Sequence, residues 1–202
     1  MNAVLNLYLA PKSGKSPIPS DAAIEGCLSY LRDRGIIGPE ISPSEYSAGP
    51  TAARIFHPDA ENYYVPAELT FESLTVQTVK KVTFLPEAQD LHEFHSVTCP
   101  ICEDDMDVSA FKDALNRIVY FPVDAVLYDC PSCQSEMTFR ELSFGQNVAF
   151  ARFWFHLEGV AFGRLQTQFV DAMAKQLGFS LIVVPEVIDD QADAWASPPG
   201  FR

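Results

Sequence analysis

Cys99-Pro100-Ile101-Cys102 and, 27 residues further on, Cys130-Pro131-Ser132-Cys133 are the two stretches on which the reading of this 202-residue chain turns. Two thiols separated by two residues sit on one tight turn. Both can then reach a single ion while backbone N–H groups point at the sulfurs. Two such turns complete a tetrahedron with Zn–S bonds of ~2.3 Å. Soft thiolates select zinc, which brings no redox chemistry of its own. A thioredoxin-like redox motif needs only one such pair, at a helix start. Two matched pairs favour a metal, with an iron–sulfur cluster as the remaining alternative. Cys99, Cys102, Cys130 and Cys133 are therefore the expected ligands of one structural zinc. Four protein thiolates leave no open position for water, so no catalysis is expected at the metal.

Residues 96–142 resemble the zinc-ribbon group, in which two cysteine knuckles on hairpins clasp one metal. The resemblance covers about a quarter of the chain. It departs from the commonest knuckle at Glu103 and Gln134, which stand where a glycine usually follows the second cysteine. Within the spacer, Phe111, Leu115 and Ile118 trace a helical face over about Val108 to Val119. Ala125 to Asp129 leads into the second knuckle as a strand, and Met137 to Leu142 can pair with it. The ribbon is thus an elaborated one.

Outward from the cysteines, the chain reads as strands and helices of an α/β core. A first strand is expected over about Ala3 to Leu9, and a helix from about Ser20 to Arg34. Ser20 or Asp21 caps that helix, Gly35 ends it, and Ile24, Cys27, Leu28 and Leu31 form its buried stripe. Cys27, lying on that stripe, is expected to be an inert buried thiol. Residues 38–66 are rich in Pro, Ser and Gly and read as loop, with Arg54 to His57 as a short strand. Two strands are expected within Leu69 to Leu85. Asn147 to Leu157 is apolar on both faces, which suits a central strand covered on two sides. Phe162, Leu165, Phe169, Met173 and Leu177 then trace a helix ending at Gly178, and Phe179 to Val187 a last strand. The expected fold is α/β, with α+β as the alternative: a mixed sheet with flanking helices and a four-cysteine zinc ribbon. Its parts are residues 1–95, an N-terminal α/β part; 96–142, the ribbon; 143–188, a strand–helix–strand completing the core; and 189–202, a mobile tail.

Charge narrows the range of partners. There are 27 acids against 14 bases, a net −13, and residues 96–142 alone carry nine acids and three bases. A ribbon so acidic is repelled by phosphate backbones, whose binding rests on Lys and Arg. It suits a basic protein instead. The first ten residues have no basic start and only a brief apolar run, so they read as strand rather than export signal. With cysteines in metal-type pairs, the cytoplasm is the expected compartment.

Other motifs fail on inspection. Gly14-Lys15-Ser16 follows a strand, but a phosphate loop needs a glycine five residues before Gly14, and Leu9 stands there. His92 and His95 miss the metalloprotease spacing by one residue, although either could lend a ligand to the nearby metal. His156, among Phe153, Trp154 and Phe155, reads as a hydrogen-bonded histidine in an aromatic core. The run Glu103, Asp104, Asp105 and Asp107 reads either as a solvated cap for the following helix or as an acidic docking surface. Tyr63 and Tyr64 would supply it with aromatic anchors.

The expected function is that of a non-catalytic, cytosolic protein-binding protein. In general character it resembles bacterial immunity proteins, which imply a basic, nuclease-like toxin as partner. Two alternatives stay open. One is an enzyme with a site assembled around His57, His92 or His156. The other is a nucleic-acid accessory using a basic stripe near Lys80 and Lys81.

Overall fold

A computed structural model describes residues 4–12, 16–57, 71–85, 97–105, 117, 125–144, 147–160 and 164–188. Along the chain these form β1 (Val4–Pro11), α1 (Asp21–Asp33), β2 (Ile37–Ser42), β3 (Glu45–Ala48), a 3-10 turn (Ala52–Ile55) and β4 (Ser73–Leu85). Four short strands follow: β5 (Val97–Thr98), β6 (Leu127–Asp129), β7 (Glu136–Thr138) and β8 (Ser143–Phe144). The chain then returns through β9 (Ala149–Val160), α2 (Thr167–Leu177) and β10 (Leu181–Ile188).

The large sheet runs β10-β1-β9-β4-β3-β2, and every neighbouring pair is antiparallel. The fold is therefore α+β, the alternative reading of the sequence. Without the β2–β3 hairpin and the ribbon, the remaining β1-α1-β4-β9-α2-β10 has its strands in the order 4-1-3-2. That is the split β-α-β arrangement of ferredoxin-like folds. Each half inserts its neighbour's strand between its own two: β9 lies between β1 and β4, and β1 between β9 and β10.

Both helices lie on one face of the sheet. α1 begins where the Ser20 hydroxyl accepts the Ala23 N–H at 3.2 Å, and its Cys27, Leu28 and Leu31 are buried. α2 buries Phe169, Met173 and Leu177 and ends at Gly178, whose φ of 81° the absence of a Cβ permits. The two stripes share one core with Leu7, Leu9, Leu74, Phe153, Phe155 and Leu157. On the opposite face Tyr8, Ala10, Trp154 and Val184 pack together. β9 is thus central and buried on both faces, as its unbroken apolar run implies. A bulge against β1 carries its last residues past Gly159 at φ 68°.

Three sequence expectations are corrected. The stretch read as two strands is one 13-residue strand, β4, whose ladder to β9 jumps from Thr78–Phe153 to Thr83–Ala151. An irregularity of this size absorbs Lys80 and Lys81, both exposed, without ending the pairing. Arg54 to His57 is not a strand. A 3-10 turn runs to Ile55, and only Phe56 makes a single bridge, to Leu165. Finally, residues 37–48 form a hairpin rather than loop, turned at Ser44 (φ 63°), whose carbonyl accepts the Val76 N–H at 2.8 Å. The expected helix over 108–119 and the tail from 189 lie outside the described residues, apart from helical Arg117. No helix among the described residues is long and apolar enough to cross a membrane.

Candidate metal centre

The two cysteine pairs are built as near copies. In the first, the Cys99 N–H donates to Asp104 O at 3.0 Å and the Glu103 N–H to Cys99 O at 2.9 Å. In the second, the Cys130 N–H donates to Ser135 O at 3.0 Å and the Gln134 N–H to Cys130 O at 2.8 Å. The same two bonds therefore close both turns. Each turn also needs a left-handed residue after its second cysteine, and Glu103 (φ 62°) and Gln134 (φ 59°) supply it. The missing glycines have not changed the knuckle. They have made it more strained, since a side chain in this region costs roughly 1–2 kcal/mol.

These turns bring all four sulfurs within 4.8 Å of one another. Cys99 and Cys133 Sγ are 3.8 Å apart, and Cys102 and Cys130 Sγ 3.6 Å. A tetrahedron with ~2.3 Å metal–sulfur bonds has edges of ~3.8 Å. Neither pair is bonded as a disulfide. The donor set and its dimensions thus fit one thiolate-bound ion. The Ile101 N–H points at Cys99 Sγ at 3.4 Å. The Ser135 hydroxyl, 3.3 Å from Cys133 Sγ, and its backbone N–H draw the Cys133 thiol down to about 6. Cys102 goes the other way, to about 12. The Asp104 backbone N–H favours its thiolate, but desolvation and the hydrogen bonds with Cys130, Cys99 and Cys133 outweigh it. Ionising all four together requires a cation among them.

The ribbon is anchored in its own small core. Val97, Tyr128, Met137, Phe139 and Leu142 pack with Cys99, Cys130 and Phe150, the last contributed by β9. Phe84 of β4 lies with its ring centroid 5.1 Å from that of Phe150. A latch sits above them. The Phe150 carbonyl accepts the Ser16 hydroxyl and Arg140 Nη1 (3.4 Å), while Arg152 Nε and Nη2 donate to Ser16 O at 3.3 and 3.2 Å. Ser16, of the rejected phosphate-loop motif, is 1% exposed and serves this latch.

Of the acidic run, Glu103, Asp104 and Asp105 are exposed beside the first knuckle, and Asp105 bridges Thr98. Asp107, Tyr63, Tyr64, His92 and His95 lie outside the described residues. His57, whose N–H donates to Arg164 O at 2.8 Å, lies just past the 3-10 turn and outside the sheet, whereas His156 is on β9. Sequence reasoning missed the company His156 keeps. Its ring stacks on Tyr8 (centroids 4.4 Å apart, planes 2° apart), and its Nδ1 is 3.2 Å from Glu158 Oε1. The Tyr8 hydroxyl and the Asn6 amide donate to Glu186 Oε2 at 2.7 and 3.0 Å, and the Ser73 hydroxyl to Glu158 Oε2 at 3.3 Å. Alternation along β1 and β9 puts these polar residues on one face, but only the strand register unites them.

Compared with protein-family models, curated proteins and solved structures, the chain matches none.

Proposed function

We propose that this chain is a non-catalytic protein-binding protein, in which a structural zinc ion holds an acidic ribbon rigid for docking on a basic partner. The observation that carries the reading is the closed four-sulfur cluster with Glu103, Asp104 and Asp105 exposed on its first knuckle. Four thiolates satisfy a tetrahedral ion and leave no place for substrate. The metal is then useful for what it holds in place. Zinc suits it because a soft, all-sulfur, tetrahedral set selects zinc over harder ions. A reducing cytoplasm would keep the four thiols available for it. Occlusion of a basic, nuclease-like toxin is the form of the function that the charge balance favours, because opposite charge speeds encounter and excludes other partners.

The test is a pull-down with the tagged, zinc-loaded chain against the protein encoded in the adjacent reading frame, with binding rates followed across salt concentration. A one-to-one complex is expected. Its association slows steeply as salt rises, and it weakens when Glu103, Asp104 and Asp105 are changed to amides. Binding that ignores both salt and these substitutions would overturn the proposal.

One observation favours a second reading, an enzyme. The Tyr8, His156, Glu158 and Glu186 cluster brings an imidazole and two carboxylates to one sheet face. Turnover that is lost in His156→Gln, while the fold is retained, would select it.

A further inference from the structure

The two knuckles match bond for bond, but their sulfurs differ in access to solvent. Cys99 and Cys130, the first of each pair, are 1% and 2% exposed, while Cys102 and Cys133 are only half-buried. The 3.8 and 3.6 Å contacts cross from knuckle to knuckle. Each joins the outer sulfur of one to the inner sulfur of the other, Cys133 to Cys99 and Cys102 to Cys130. An accessible thiol with a shielded thiol against it turns a first oxidation into a disulfide, because the sulfenic acid is intercepted before it oxidises further. The knuckles also differ where they close. Asp104 and Ser135 are equivalent positions, whose carbonyls accept the Cys99 and Cys130 N–H groups. In the second knuckle the side chain there is a hydroxyl, 3.3 Å from Cys133 Sγ. In the first it is an exposed carboxylate. Attack on a peroxide builds negative charge on the departing oxygen, which a hydroxyl can hydrogen-bond and a carboxylate repels.

We propose that the cluster is a peroxide-oxidation site as well as a metal staple, with Cys133 as the point of entry and Cys99 as the thiol that resolves it. The inference rests on the structural-zinc part of the reading above and is independent of the partner. In the first step the Cys133 sulfur attacks hydrogen peroxide. The S–O bond forms, the O–O bond breaks, and hydroxide leaves, taking a proton from solvent to become water. In the second the Cys99 sulfur attacks the Cys133 sulfenic acid. The S–S bond forms, the S–O bond breaks, and a second hydroxide leaves as water. Two electrons have then passed from the sulfur pair to one peroxide. Closing the 3.8 Å gap to an S–S bond of ~2 Å moves each sulfur by about 1 Å. Cys102 and Cys130 alone are too few ligands for a tetrahedral ion, so oxidation releases the metal and loosens the core built around Cys99 and Cys130.

The test uses the full chain, loaded with zinc and treated with hydrogen peroxide at neutral pH while a chromophoric chelator reports the zinc set free. Remaining thiols are then alkylated and the disulfides mapped by mass spectrometry. Expected is one Cys99–Cys133 disulfide for each zinc released, reversed by dithiothreitol. Cys27, wholly buried in the main core, should be recovered as a free thiol. Ser135→Asp gives the second knuckle a carboxylate like that of the first. It should still take up zinc, but release it under peroxide about fivefold more slowly, the effect of one like charge ~4 Å away near the surface. Zinc retained under peroxide, a first disulfide other than Cys99–Cys133, or equally fast release from Ser135→Asp each overturns the inference and leaves the structural-zinc reading standing. A chain that takes up no zinc at all removes both.

Discussion

Glu103 and Gln134 adopt the same left-handed backbone, φ 62° and 59°, one residue after the second cysteine of their respective knuckles. Both positions spend conformational energy that a glycine would not. Gln134→Gly, which leaves the charge of the ribbon untouched, is expected to stabilise the metal-loaded ribbon by about 0.5–1 kcal/mol. Chelator competition or thermal melting measures it. A loss of stability would mean that the side chain contributes more than the backbone costs.

Withholding metal from the four-cysteine cluster should uncouple the two cores. Chelation, or Cys130→Ser, should unfold residues 97–105 and 127–144, because their small apolar cluster is organised around Cys99 and Cys130. The sheet with Phe153, Phe155 and Leu157 beneath α1 and α2 has its own larger core and should persist. Amide exchange checks this: protection disappears in the ribbon and remains through β9 and α2. Simultaneous loss in both would show a single cooperative unit.

Cys27 should resist thiol reagents at pH 8 in the native state. Its side chain is wholly buried, and desolvation pushes its thiol from 9.0 up to about 11. A raised native value means that the folded chain holds this proton more tightly than the unfolded one. The stabilisation is complete below pH 9 and is lost as the pH rises from 9 towards 11. Cys27→Ala should flatten that part of the stability–pH curve. An unchanged slope would assign the decline to other groups.

Tyr8→Phe removes the 2.7 Å bond to Glu186 while keeping the ring stacked on His156. A cost of about 1.5–3 kcal/mol is expected in denaturant unfolding, as for a hydrogen bond to a charged group. An unaffected midpoint would mean that solvent replaces the hydroxyl at no penalty.

Features that depend on residues near in sequence were readable in advance. Ser20 and the Ile24, Cys27, Leu28 and Leu31 spacing mark α1, Gly178 ends α2, and the doubled cysteine pairs mark the four thiols that come together. What escaped depends on distant partners. The β2–β3 hairpin reads as loop because Gly38, Pro39 and Gly49 are turn signals. In fact Gly49 is there because a Cβ would strike the Gly35 carbonyl. Asp129 and Glu136 are two ordinary acids until a ladder sets them face to face, and His156 is a lone histidine until the register adds Tyr8.

The ribbon leaves and re-enters the sheet at neighbours: Leu85, the last residue of β4, pairs with Ala149, the first of β9. Residues 86–148 are therefore an excursion from the tip of one hairpin, and the path of the sheet does not depend on them. A two-residue turn could join those strands directly. This makes the chain modular at a single point. The segment between these strands can be lengthened, exchanged or recharged by changes confined to that tip, while the split β-α-β platform beneath keeps its strand pairing.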